Sequence, residues 1–268
     1  MKVAAIQMVS GISLDANLSE ALRLLRLAAQ AGAELAVLPE YFCFMGHKDE
    51  DKLLLAEEPG LGTVQDFLSD AARDLKMWVV GGTLPMAVPD PTHAANASLV
   101  YNPKGQCVTR YDKIHLFRYD NGREAYDESA VLQAGEKPEA FDLKDRSGQV
   151  WRVGMSVCYD LRFAELYKAL AAQVLLVPSA FTFTTGQAHW EVLLRARAIE
   201  NQAFVIASAQ GGSHENGRRT WGHSMVIDPW GEVLVMHAVG PGVALAEIDM
   251  ARLESVRQQL PALQHRRL

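Results

Sequence analysis

Three side chains sit where an α/β protein does chemistry, directly after short apolar runs that read as strands. Cys158 follows Val-Gly-Met-Ser-Val, Glu40 follows Leu-Ala-Val-Leu-Pro, and Lys113 closes Gln-Cys-Val-Thr-Arg-Tyr-Asp-Lys. In such sheets ligands bind at the carboxyl ends of strands. A helix N-terminus and a nearby cation would both lower the thiol pKa of a cysteine there and raise its thiolate fraction. Each residue also has an ordinary reading: Cys158 as a small buried hydrophobe, Glu40 as a loop or capping acid, Lys113 as a solvated strand-end lysine. The other cysteines, Cys43 and Cys107, are expected to be packing residues. Three cysteines without a CxxC pair fit neither a disulfide framework nor a zinc site.

The elements that must hold these side chains follow from periodicity. Apolar runs of strand length alternate with stretches of helical period, the pattern of a layered α/β protein. Strands are expected at 2–8, 34–39, 77–83, 151–158, 174–180, 203–209 and 242–248. Helices are expected at 15–31, 63–76, 163–172, 187–201 and 250–260. The first carries Leu18, Ala21, Leu22, Leu25 and Ala28 on one face, with Asp15 or Asn17 as N-cap and Gly32 as its stop. Turn residues Asn102 to Gly105 and Asp228 to Gly231 mark two hairpins, so the sheet is mixed. The polar stretch 118–138 reads as a long irregular loop, of the kind that is usually functional or disordered.

The chain has 268 residues, 49% hydrophobic and 22% charged, with 26 basic and 32 acidic side chains and a net charge of −6. At that length a full core can form without disulfides or metal, and a single domain over 1–268 is the expectation. Mild acidity argues against a nucleic-acid partner. No apolar run reaches the length of a transmembrane helix. The start is too short in its apolar run for a secretory signal, so residence in the cytoplasm is expected.

The strings LAVLPEYF around Glu40, RYDKIHLF around Lys113 and GMSVCYDLRFAELY around Cys158 together resemble the Glu-Lys-Cys triad of the nitrilase superfamily, the carbon–nitrogen hydrolases. The resemblance runs from the AAIQM start to the LPALQHRR end. It implies a four-layer α-β-β-α sandwich and cofactor-free, metal-free hydrolysis of a small amide by a homodimer. It makes Cys158 the nucleophile and Glu40 the proton carrier. Lys113 and the backbone N–H of Tyr159 become the oxyanion donors, with Glu128 orienting Lys113.

SAFTFTTGQAHWEVLLRARAIENQ, GHSMVIDPWGEV and LPALQHRR look most like the branch that holds deaminated glutathione amidase and omega-amidase. WEVLLRARAIE and LQHRR favour the former, and the alternative is omega-amidase action on 2-oxoglutaramate. A non-catalytic binding or scaffold protein of the same fold is a further alternative. A substrate with a 2-oxo acid needs a cation for its carboxylate. Arg162 is the leading candidate, with Phe181 as wall and Thr184 as donor, and with Tyr41 and Tyr126 as further contacts. Arg197 and Glu200 are expected to pair along a helix near a dimer interface. His115, His189 and His223 match no ligand spacing and are expected to pack or support.

Overall fold

The computed structural model describes residues 1–267, so Leu268 of the expected unit lies outside the described residues. Two sheets face each other. The first orders its strands as Gly242–Glu247, Lys2–Gln7, Leu35–Val37, Trp78–Val80, Ala94–Tyr101 and Leu84–Ala87, with Cys107–Asp112 and Leu132–Gln133 also paired to Ala94–Tyr101. The second runs Ala140–Lys144, Val150–Met155, Val174–Leu176, Phe204–Ala207, Ser224–Ile227 and Val233–His237.

Two-residue alternation divides the first strand between two cores. Val3 and Ala5 join Val37, Val153 and Met155 in the cluster between the sheets. Ala4 and Ile6 join Leu18, Ala21 and Leu25 of helix α1 (Leu14–Gln30), and Val64 and Leu68 of α2 (Thr63–Leu75). A strand covered on both faces reads as continuously apolar, as this one does. On the far side, α3 (Ala164–Leu170) and α4 (Phe183–Asn201) pack Leu166, Tyr167, Trp190 and Leu194 against the second sheet. The layers are therefore α-β-β-α, as expected. A last helix, α5 (Met250–Gln259), buries Leu253 and Val256. Among the described residues no helix is long and apolar enough to cross a membrane.

Strand direction brings the three chemical residues to one rim. Lys2–Gln7, Leu35–Val37 and Trp78–Val80 are mutually parallel, and Cys107–Asp112 runs the same way after two antiparallel steps. Val150–Met155, Val174–Leu176 and Phe204–Ala207 are parallel in the second sheet. A parallel bridge between Met8 and Gln210 ties the two sheets at the same end. The carboxyl ends of both sheets thus converge, with Glu40, Lys113 and Cys158 just past them.

Several local expectations are corrected. Helix α1 is capped by Ser13, because Asn17 spends its buried amide on the backbone of Gly11 and Cys43. Helix α4 begins at Phe183, where Thr182 caps the amide of Thr185 and overrides the weak helix propensity of Thr-Thr-Gly. Strands Leu84–Ala87 and Ala140–Lys144 lie where none was expected. The stretch 118–138 holds a ribbon, Arg118–Asp120 with Ala125–Asp127, and a tight turn at Glu128–Ala130. Cys43 is buried as expected, whereas Cys107 is exposed at the start of its strand.

Candidate active site

Glu40 leaves the first sheet through a strained turn. Tyr41 has φ +56°, and its amide donates to Thr83 Oγ1 at 2.9 Å. Gly82, at φ +47°, lets the chain pass against Pro39, whose carbonyl a Cβ would strike. The Glu40 carboxylate is 1% exposed and fully engaged. Oε1 accepts from Lys113 Nζ at 2.9 Å and Asn96 Nδ2 at 3.0 Å, and Oε2 accepts from the Ala180 amide at 2.8 Å.

Lys113 is wholly buried, its backbone pinned by bonds to Asn96 and Gly135. Its ammonium also meets Glu128 at 2.8 and 2.9 Å. Glu128 is itself held by the Tyr41 hydroxyl at 2.9 Å and the Phe117 amide at 2.7 Å. Burial works against the charged lysine, but Glu128 and Glu40 outweigh it and hold the ammonium pKa well above its ordinary value. Burial likewise pushes the Glu128 carboxyl up, but Lys113 and the Phe117 amide carry it below its ordinary value.

Cys158 begins a single 3-10 turn, Cys158–Arg162, with φ +50°, a conformation that costs a β-carbon residue energy and turns the thiol to the rim. Its own amide donates to the Pro178 carbonyl at 3.0 Å. Asp160, fully buried, organises the turn: it accepts from the Val157 amide at 2.8 Å, the Tyr111 hydroxyl at 2.7 Å, and both the amide and Nδ1 of His115 at 3.0 and 2.7 Å. Arg197 donates Nε and Nη2 to the Leu161 carbonyl from below and pairs with Glu200 at 2.8 Å, as its spacing predicts. The thiol pKa is not lowered. Burial and the adjacent negative charge of Glu40 drive it well above the ordinary value, against the pull of Lys113. The Cys158 thiol thus faces the side chain of Glu40 in a buried pocket.

Cys158 opens onto a bilobed cleft. A wide lobe includes Glu40, Lys52, Tyr126, Glu128, Arg218 and Arg219. A narrow lobe includes Tyr159, Arg162, Phe181 and Thr185. Cys158, Phe117, Ala180 and Thr182 line both. Tyr41 and Tyr126 line the wide lobe. Arg162 lies over Tyr159 and Phe181, 5.7 and 5.6 Å from their ring centres, with His189 Nδ1 at 3.3 Å. Thr184 is corrected: it is exposed, its hydroxyl 3.4 Å from Glu124, and Thr182 and Thr185 take the place expected of it. Helical rotation from the Thr182 cap turns Thr184 outward, which a helix expected to start at 187 could not reveal. Asn96, Asp160, Thr182 and the Arg218-Arg219 pair were not legible as site residues.

The sequence model of the carbon–nitrogen hydrolases matches residues 2–258. The chain belongs to the carbon–nitrogen hydrolase family. A Synechocystis protein named deaminated glutathione amidase is 44% identical over 270 residues, covering 98% of this chain and 97% of that one. The Mus musculus protein of the same name is 41% identical over 272 residues, covering 99% and 83%. Among solved structures, Saccharomyces cerevisiae Nit3, described as a member of branch 10 of the nitrilase superfamily, matches with a TM-score of 0.89 at 31% identity, over 100% of this chain and 97% of that one.

Proposed function

We propose that this carbon–nitrogen hydrolase acts as one catalytic unit on a small linear amide with a 2-oxo dicarboxylate acyl part, deaminated glutathione above others. The observation that carries the proposal is the buried Lys113 ammonium clamped between Glu40 and Glu128, beside a Cys158 thiol that faces Glu40. The names of the relatives above support the substrate.

On this reading, Glu40 takes the Cys158 proton as the sulfur bonds to the amide carbon. The carbonyl electrons move to oxygen, and the oxyanion is met by Lys113 and the Tyr159 amide, donors that are already in place. As the oxyanion collapses, the carbon–nitrogen bond breaks and Glu40 returns its proton to the amine. Glu40 then draws a proton from the water that attacks the thioester, and the acid departs as the thiol is restored. Arg162, whose guanidinium meets two aromatic faces and a histidine ring nitrogen rather than a carboxylate, is suited to bind the acyl-side carboxylate. We take the enzyme to be a cytoplasmic homodimer. Exposed Val192 and Ile199 on α4 and Leu234 and Met236 on the neighbouring sheet edge are consistent with a covered face.

Mass-spectrometric assay of deaminated glutathione and 2-oxoglutaramate separates the readings. Faster hydrolysis of the first, abolished in Cys158→Ala, is expected. Preference for the second would favour omega-amidase action. Turnover of neither would leave a binding or scaffold protein.

A further inference from the structure

The two lobes of the cleft are not equivalent with respect to the acid that must protonate the leaving amine. Glu40 and Glu128 line the wide lobe, whereas the narrow one meets Cys158 from the side of Tyr159 and Arg162. Resting on the amidase reading above, this places the acyl chain in the narrow lobe and the departing amine in the wide one, within reach of the Glu40 proton.

Charge is unevenly placed in the wide lobe: Glu40 and Glu128 share the Lys113 ammonium on one side, and cations gather on the side away from it. Lys52 Nζ and Arg218 Nη2 both bind a single oxygen, Asp49 Oδ1, each at 2.7 Å. Asp127, the other acid outside the triad region, has its own cation in Arg118 at 3.6 Å. Arg219 has no ion-pair partner among the described residues, its guanidinium resting 4.1 Å above the Phe183 ring centre. On that side one carboxylate is shared by two cations beside a third with no ion-pair partner among the described residues, a local excess of positive charge that suits a ligand carboxylate. An ammonia leaving group would not use this charge.

We propose that Arg219, backed by Arg218 and Lys52, binds a carboxylate carried by the leaving amine, so that the enzyme reads one anion on each side of the scissile amide. The subsite fits a peptide-like leaving amine with a free carboxylate, the kind of amine that the substrate proposed above releases. A planar guanidinium held on an aromatic face and reachable from solvent suits a bidentate grip on such a group. Arg219 sets specificity here and takes no part in bond making.

The test uses three amides sharing one 2-oxo dicarboxylate acyl group, with a dipeptide, the same dipeptide C-terminally amidated, and ammonia as leaving groups. The wild-type kcat/KM for the free-carboxylate peptide is expected to exceed that for the amidated one by about tenfold or more. Arg219→Gln should bring that ratio toward one, mainly through KM, and Arg219→Lys should restore part of it. Because Arg219 is exposed, an unchanged unfolding midpoint is expected to accompany the shift. Equal wild-type efficiency on the two peptides, or an equal loss on both in Arg219→Gln, would overturn the subsite while leaving the amidase intact. Turnover of none of the three would overturn both.

Discussion

Lys113→Met removes one positive charge from a site that buries two negative ones. Two losses follow, and they separate by pH. The first is catalytic: an oxyanion donor in a closed site contributes about 2.7–4 kcal/mol, so kcat should fall about 100- to 1000-fold. The second is structural. Glu40 and Glu128 each lie within 2.9 Å of the ammonium, so without it their carboxylates face one another. At a separation of about 5 Å and an effective dielectric of about 20, their repulsion is about 3 kcal/mol, equivalent to raising one carboxyl by about 2 pKa units. The cost of breaking such a buried pair is about 3–5 kcal/mol near neutrality.

The sign of the pH effect distinguishes this account from simple loss of packing. In the wild type Lys113 keeps Glu128 below its ordinary value, so that stabilisation is present above the unfolded glutamate pKa and fades only as pH falls through the lower folded one. In the variant one carboxyl titrates above its unfolded value, so the native state binds the extra proton. Variant stability should therefore fall as pH rises from about 5 to about 7, by up to about 1.4 kcal/mol per unit, widening the gap to wild type. Urea unfolding followed by the fluorescence of the 5 tryptophans, at both pH values, measures this gap. A kcat within tenfold of wild type, or a stability gap that does not change with pH, would refute the reasoning.

Asp160→Asn places an amide donor among the donors of Val157, Tyr111 and His115. It should cost about 1–3 kcal/mol in unfolding free energy and lower kcat more than it changes KM, because the nucleophile turn loses its anchor. An unchanged kcat in a folded Asp160→Asn protein would show that the turn holds itself. Thiol labelling of the native protein should modify Cys107 first, since Cys43 is buried and burial pushes its pKa up to about 12. Equal native-state rates at these two cysteines would contradict the burial described.

Cys158, Glu40 and Lys113 could be singled out from sequence because each follows directly on an apolar run, and the neighbours of all three carry a family pattern. The layered fold was legible for a related reason: a strand covered on both faces must be apolar throughout, and the Lys2–Gln7 and Leu35–Val37 runs are. Missed elements had weak local signals. Helix α4 starts in Phe-Thr-Thr-Gly, where only the Thr182 cap and the packing of Gly186 against Trp221 select a helix. The ribbon at Arg118–Asp120 and Ala125–Asp127 is short and polar, and Cys107 looks apolar by type while its strand position faces out.

Chain order by itself determined the residue types of the chemistry, the layered architecture and the family, because these depend on local periodicity and on short strings. Tertiary structure alone decided the electrostatics of the site and the division of the cleft. The Cys158 thiol is driven up, not down, because burial and the Glu40 carboxylate, which is 118 positions earlier in the chain, outweigh Lys113. Charge interactions act through space and scale with distance and burial, and neither quantity exists until the chain has folded.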